Sequence, residues 1–196
     1  MKSISRIWRG MRLSAAELFR DQNGIAATEF AMIVPIMLVM FFGTVEFSSG
    51  VAVDRKVTLV ARTLSDLASQ STSVASSDLT NFFAASTAIL TPYSSTPTNA
   101  AISELYVNPT TLRATVQWSQ AYQGGTARAV GTTVTIPSAL AIAGTYLIFS
   151  EVSYLYTPAV GYVMAKAGVT LSDVAYTRPR QSTCVYYSPA TACTTN

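Results

Sequence analysis

One short stretch of this 196-residue chain holds the residues best placed to do chemistry: Gly24-Ile25-Ala26-Ala27-Thr28-Glu29-Phe30. A basic leader runs into a glycine, and an apolar helix follows with a lone glutamate at its fifth position. The small residue before Ile25 suits peptide hydrolysis after Gly24, which would leave Ile25 with a free α-amine. Glu29 would then be a carboxylate held in lipid, with Phe30 beside it. Acidic and basic side chains cost about 2.5–3.5 kcal/mol at the centre of a membrane helix, so one retained there usually has a function. The alternative reading is a glutamate near the helix end that snorkels to the headgroups at little cost.

Other chemistry is sparse. Gly-rich phosphate loops, paired carboxylates at helical spacing and nucleophile elbows are absent. There is no histidine, which removes the commonest general base and metal ligand. Serines are plentiful and Lys166 is available, so the composition permits a Ser–Lys dyad, but no motif marks one. No catalytic residue, cofactor or metal is therefore expected, and the chain reads as a non-enzyme. Cys184 and Cys193 have eight residues between them. In an oxidising compartment they would close a short disulfide loop worth roughly 2–3 kcal/mol; otherwise they are free thiols or a metal pair, the latter weakened by the lack of histidine and of a second CxxC. Arg178-Pro179-Arg180 is a compact basic element beside that loop, either solvated surface or a docking site. The late tyrosines (Tyr154, Tyr156, Tyr162, Tyr176, Tyr186 and Tyr187) are ordinary sheet and interface residues.

The elements around these residues follow from charge and periodicity. The entire net charge of +3 lies in the leader, where Lys2, Arg6, Arg9, Arg12 and Arg20 face Glu17 and Asp21. A nucleic-acid binder would carry its basic patch on the folded part, so no nucleic-acid partner is expected. Residues 25–47 are nearly unbroken apolar, enough to cross the roughly 30 Å of a bilayer core. The run is too long for a signal-peptide core and lacks a small-x-small site after it. The arginine-rich side should face the cytoplasm, leaving the C-terminal part exported. Pro35 inside the span should kink the helix near Met32–Pro35. Beyond it Val53, Val57, Val60, Leu64 and Leu67 form an apolar seam on one helix face, with Arg55, Arg62 and Asp66 opposite. That seam packs either on the chain's own domain or on neighbouring subunits.

The remainder predicts an α+β domain. Ser76-Ser77-Asp78 offers N-cap chemistry for a short helix through Leu79, Phe82, Phe83, Ile89 and Leu90, stopped by Pro92. Strands are expected at Ile102–Val107, Leu112–Ser119 after the Asn108-Pro109-Thr110 turn, Thr132–Ile136 after Gly124-Gly125, and around Val174–Tyr176. Thr145–Tyr156, apolar on both faces, should be the central strand. The expected organisation is a leader over 1–24, a transmembrane helix over 25–47, its amphipathic extension over 48–70, and an exported domain over 71–196 that packs a small antiparallel sheet on the helix.

The run from Gly24 through Thr28-Glu29-Phe30-Ala31 to Pro35, then Gly43 and Glu46-Phe47, resembles the TadE/TadF pseudopilins of the tight-adherence (Flp, type IVb) pilus system. Val60-Ala61-Arg62 is similar to the family's Ala-Arg segment, and the Tyr154 strand and Tyr176-Thr177-Arg178-Pro179-Arg180 add a weaker likeness. Flp-type motifs commonly carry Glu-Tyr where this chain has Glu29-Phe30. The major Flp pilin is far shorter, so the resemblance is to a minor pseudopilin. It implies removal of the leader by a prepilin peptidase and an inner-membrane location with the C-terminal domain periplasmic, or extracellular within a pilus. The implied partners are other pilus subunits and pseudopilins, the inner-membrane assembly platform and the lipid bilayer. The competing readings are an uncleaved single-pass membrane-anchored periplasmic binding module and a membrane-anchored hydrolase.

Overall fold

The computed structural model describes residues 23–158 and 168–195. The basic leader, Tyr162 and Lys166 therefore lie outside the described residues. The chain divides into two compact units, Met1–Val45 and Glu46–Asn196. Helix α1, Asn23–Ser69, supplies the described part of the first and the opening element of the second.

In the first unit α1 is predominantly apolar, with Glu29 its one acidic residue, and uncovered. Phe30, Met32, Ile36, Met37, Val39, Met40 and Phe41 are each about two-thirds exposed, and its most apolar window buries nothing. A helix of this length and composition satisfies its own backbone and meets the requirement for crossing a bilayer. Its hydroxyls are also satisfied locally. Thr28 Oγ1 donates to the Ile25 carbonyl and Thr44 Oγ1 to the Met40 carbonyl, both at 2.8 Å.

In the second unit α1 changes character. Val53, Val57, Val60, Ala61, Leu64 and Ala68 are almost fully buried, so the seam packs within this chain. Its fifth predicted member, Leu67, is only half-buried. After α1 come β1 (Ser73–Val74), α2 (Ser76–Thr87) with a 3-10 turn at Ala88–Leu90, β2 (Thr98–Val107), β3 (Ala114–Tyr122), β4 (Thr133–Val134), β5 (Tyr146–Tyr156), β6 (Val169–Thr177) and β7 (Tyr186–Tyr187). Five strands form an antiparallel sheet in the order β4-β3-β2-β5-β6, and β1 pairs with β7 in parallel. The α+β arrangement with its antiparallel sheet is as expected.

The inner face of the sheet presents Ile102, Trp118, Ile148, Val152 and Tyr154 to the α1 seam and to Leu79, Phe83 and Leu90 of the α2 region. A second cluster of Leu105, Val107, Val116, Leu147 and Phe149 lies on the outer face, partly covered by Val134, Ile136 and Leu140. Polar contacts tie α1 to the sheet and to α2. Ser150 Oγ donates to the buried Ala61 carbonyl at 2.6 Å, and Ser65 and Thr177 share a hydroxyl pair at 2.8 Å. Lys56 Nζ donates to the Ile89 and Thr91 carbonyls at 2.8 and 2.7 Å, satisfying the end of the 3-10 turn.

Several boundaries differ from the sequence expectation for local reasons. The N-cap of α2 is Ala75, which has no side chain to cap the first turn; Asp78 Oδ2 reaches back and accepts the Ala75 N–H at 2.9 Å, the half of a capping box that the third helical residue supplies. Leu112 adopts φ 56° and stands exposed, so β3 begins two residues later at Ala114. Asn108 shapes this turn by accepting the Thr110 and Thr111 N–H groups. β5 is the longest strand and is paired on both edges, but the middle strand of the five is β2. β6 runs over nine residues because it is held in register along β5.

Truncating Leu64, which is fully buried between α1 and the sheet, should cost about 2–5 kcal/mol. Leu59→Ala, on the half-exposed side of the same helix, should change stability by less than about 0.5 kcal/mol. Denaturant titration of the detergent-solubilised full chain measures both, and equal losses would show that the seam is not the core contact.

Candidate functional site

The first candidate constellation lies at the start of α1. Gly24, Ile25, Glu29 and Phe30 are all exposed. A Cβ placed on Gly24 would meet nothing within 4 Å, so packing within the described chain does not explain the glycine. Ile25 and Glu29 are four residues apart on one helix, so the Ile25 nitrogen and Glu29 are separated by about one turn, roughly 6 Å along the axis. Pro35 lies inside α1 a turn and a half further on.

The second constellation was not legible as such in the sequence. Cys184 and Cys193 are joined in a disulfide, and the loop they close rests on the inner face of the sheet. Beneath it sits Glu104, which is 1% exposed. Its Oε1 accepts the Val185 N–H at 2.5 Å, while the Trp118 indole N–H donates to the Val185 carbonyl at 2.6 Å. Both backbone groups of Val185 are thus held by side chains facing each other across β2 and β3. The sheet bulges where these two residues pair, between Glu104 and Leu105. Burial pushes the Glu104 carboxyl up to about 8, against the opposing pull of the Val185 and Trp118 hydrogen bonds. Further along, Tyr146 Oη donates to the Thr194 carbonyl at 3.0 Å and Thr194 Oγ1 donates to Gln117 Oε1 at 3.0 Å. A cavity of about 250 Å3 remains between Glu104, Trp118 and Tyr187. The signal for Glu104 was parity: it shares a strand face with Ile102, two residues before it.

Of the basic pair, Arg178 is exposed, whereas Arg180 is engaged within the chain. Its N–H donates to the Ser69 carbonyl at 2.8 Å and its guanidinium pairs with Asp66, anchoring the end of β6 to the last turn of α1. An exposed pair of this kind adds at most about 1 kcal/mol. The tyrosines are spread over several contacts. Tyr176 stacks on Phe149 at 4.8 Å, Tyr187 lies against Trp118 at 5.9 Å, and Tyr154 Oη donates to the Ser94 carbonyl. An open groove of about 690 Å3 crosses the outer face of the sheet between Asn99, Gly125 and Asp173. Its two most prominent charges, Arg128 and Glu151, already pair with each other in a bidentate contact at 2.6 Å. Among the described residues no three His, Cys, Asp or Glu side chains come together to hold a metal.

Two outcomes are expected from this loop. Between the ordinary value of 4.5 and about 8, folded Glu104 keeps a proton that the unfolded chain has released. Its contribution to stability is therefore fully present below 4.5 and is lost as the pH rises toward 8. Glu104→Gln should flatten the pH–stability curve across that window, read from urea midpoints against the parent chain; parallel curves would refute the buried titration. Replacing both cysteines with alanine should cost roughly 2–3 kcal/mol and red-shift the emission of Trp118 as the loop lifts.

Comparison with known proteins places the N-terminal helix. Residues 24–65 match the family model described as TadE-like protein. No curated protein and no solved structure matches the chain. The matched segment holds Gly24, Glu29 and Pro35, and it continues into the buried seam as far as Ser65. Over residues 24–65, most of its long N-terminal helix, the chain is therefore similar to the TadE-like proteins, a likeness consistent with the Tad pilus system.

Proposed function

We propose that this chain is a minor pseudopilin that takes part in assembling an adhesive Flp pilus. The observation that carries the reading is the TadE-like match over residues 24–65, laid on a helix whose first half is apolar and uncovered and whose second half belongs to a folded domain. In this reading a prepilin-type peptidase cuts between Gly24 and Ile25 at the cytoplasmic membrane face. The open space around Gly24 supports recognition from outside the chain as the reason for the glycine. The helix stays in the inner membrane, kinked at Pro35, with the domain of residues 71–196 on the periplasmic side. The partners are the peptidase, other pilus subunits and pseudopilins, and the assembly platform, with Arg178 the freer member of the basic docking pair. The protein acts by assembly and not by catalysis.

Glu29 supplies the mechanism. An ionised carboxylate in hydrocarbon favours any arrangement that brings a cation to it. Cleavage creates that cation at Ile25, about one turn away on the same helix. Beside a neighbouring subunit the amine of one chain meets Glu29 of the other, so a paired subunit is stabilised over a solitary one and the register is set.

Gly24→Val should leave only the long precursor in membrane extracts, and unchanged processing would sink the pseudopilin reading. Glu29→Gln keeps size and polarity but removes the charge. Intact mass should show normal cleavage, with loss of pilus assembly or of co-purification with other pilus subunits. A cleaved Glu29→Gln protein that assembles like the parent would defeat the charge pairing.

A further inference from the structure

We infer that the folded domain has a lipid contact of its own: the end of the β5–β6 pair, with Leu155, Tyr156 and Val169, seats on the headgroup layer where α1 leaves the bilayer. This rests on the reading of α1 as a membrane anchor. The level of the bilayer surface follows from α1 itself. Its apolar run ends at Phe47, and its next charged residues are Asp54 and Arg55, so the passage from hydrocarbon to water falls within residues 47–54. Tyr156, the last residue of β5, meets α1 at that level. Its Oη donates to Glu46 Oε2 at 3.2 Å, and its ring would lie 3.6 Å from a Cβ on Gly50.

Register brings the apolar side chains to the same level. Tyr156 pairs with Val169 and Leu155 with Thr170. Leu155 is 47% exposed and Val169 53%. On α1, Phe47 and Val51 are exposed one turn apart. From Val152 to Pro158 and from Gly168 to Ser172 the described residues of this hairpin carry no charge, while Glu151 and Asp173 bound it. Apolar side chains beside a tyrosine with its hydroxyl engaged suit the interfacial zone, where amphipathic aromatic rings are enriched. Single exposed apolar residues are ordinary on a protein surface. Here they gather at the one level where the chain itself must meet lipid. The bilayer is thus a continuation of the contact α1 already makes. The domain has two supports, which fix its tilt where a single helix would leave it free.

The test is tryptophan quenching in the full chain, reconstituted into phosphatidylcholine vesicles brominated at shallow or deep acyl positions. Leu155→Trp and Val169→Trp are compared with Phe41→Trp in the apolar run and Leu112→Trp in the turn at the opposite end of the sheet, each read as the increment over the parent protein. The expected result is loss of most of the added fluorescence at 155 and 169 in the shallow-brominated lipid and at 41 in the deep-brominated lipid, with none at 112. Quenching at 41 alone would overturn the inference and leave the anchor intact, as for a rim covered by another subunit. Quenching at 112 equal to that at 155 would also overturn it, since the domain would then be lying on lipid without orientation. Absence of quenching at 41 would remove the anchor reading, and the inference with it.

Discussion

The constraint on which this structure depends is that one continuous helix is uncovered along its first half and forms a wall of the core along its second. Through Val45 its side chains, Glu29 apart, are mostly apolar and have no core to enter, which suits a membrane anchor. From Val53 the apolar residues contract to a single seam, and the other faces carry Asp54, Arg55 and Arg62. The seam supplies one wall of the domain core. Without it Ile102, Ile148 and Val152 would face water, and burial of such side chains is the main term holding a small sheet together. The long helix is therefore also a core element, and the folded domain cannot be separated from the helix that carries it.

Close approach between α1 and the sheet depends on small side chains. Ala61, Ser65 and Ala68 on the helix and Ser150 on β5 leave room for the backbones to come near. The Ser150 hydroxyl then reaches the Ala61 carbonyl, so the polar atom that proximity buries is satisfied by the same contact. At the end of α1 the chain is held again, by Arg180 on Asp66 and Ser69 and by the parallel bridge of β1 to β7.

The C-terminal loop closes the part of the inner face that α1 leaves open. The loop's own sequence is too polar to bury itself by the hydrophobic effect, and the disulfide and Val185 do that work. Glu104 is an unusual floor for it, since burying a carboxyl is costly unless it is neutral or well bonded. Here it is both hydrogen-bonded and shifted toward the neutral form, which links the seat of the loop to proton activity in its surroundings.

Much of this was legible in the residues. The apolar span, the four-and-three spacing of the seam, the turn at Asn108 and the alternation of β3 all follow from periods that depend only on helix and strand geometry. The pairing of Cys184 with Cys193 followed from their isolation and expected export. What escaped was whatever depends on partners distant in sequence. The β1–β7 bridge joins two-residue strands with no pattern of their own. The full length of β6 is set by β5, and the left-handed turn at Leu112 runs against that residue's preference. The role of Arg180 required knowing that β6 ends beside Asp66. Strand parity puts Glu104 on the face of Ile102, but only the loop laid over it by the disulfide shows what covers it. The sequence by itself determined which segments are helix, which are strand and which run is apolar enough to span a bilayer, because periodicity and apolarity are local. Only the tertiary structure decided which carboxylate is buried, which arginine is engaged and which strand end meets the helix at Glu46 and Gly50, because each of those is a contact between residues far apart along the chain.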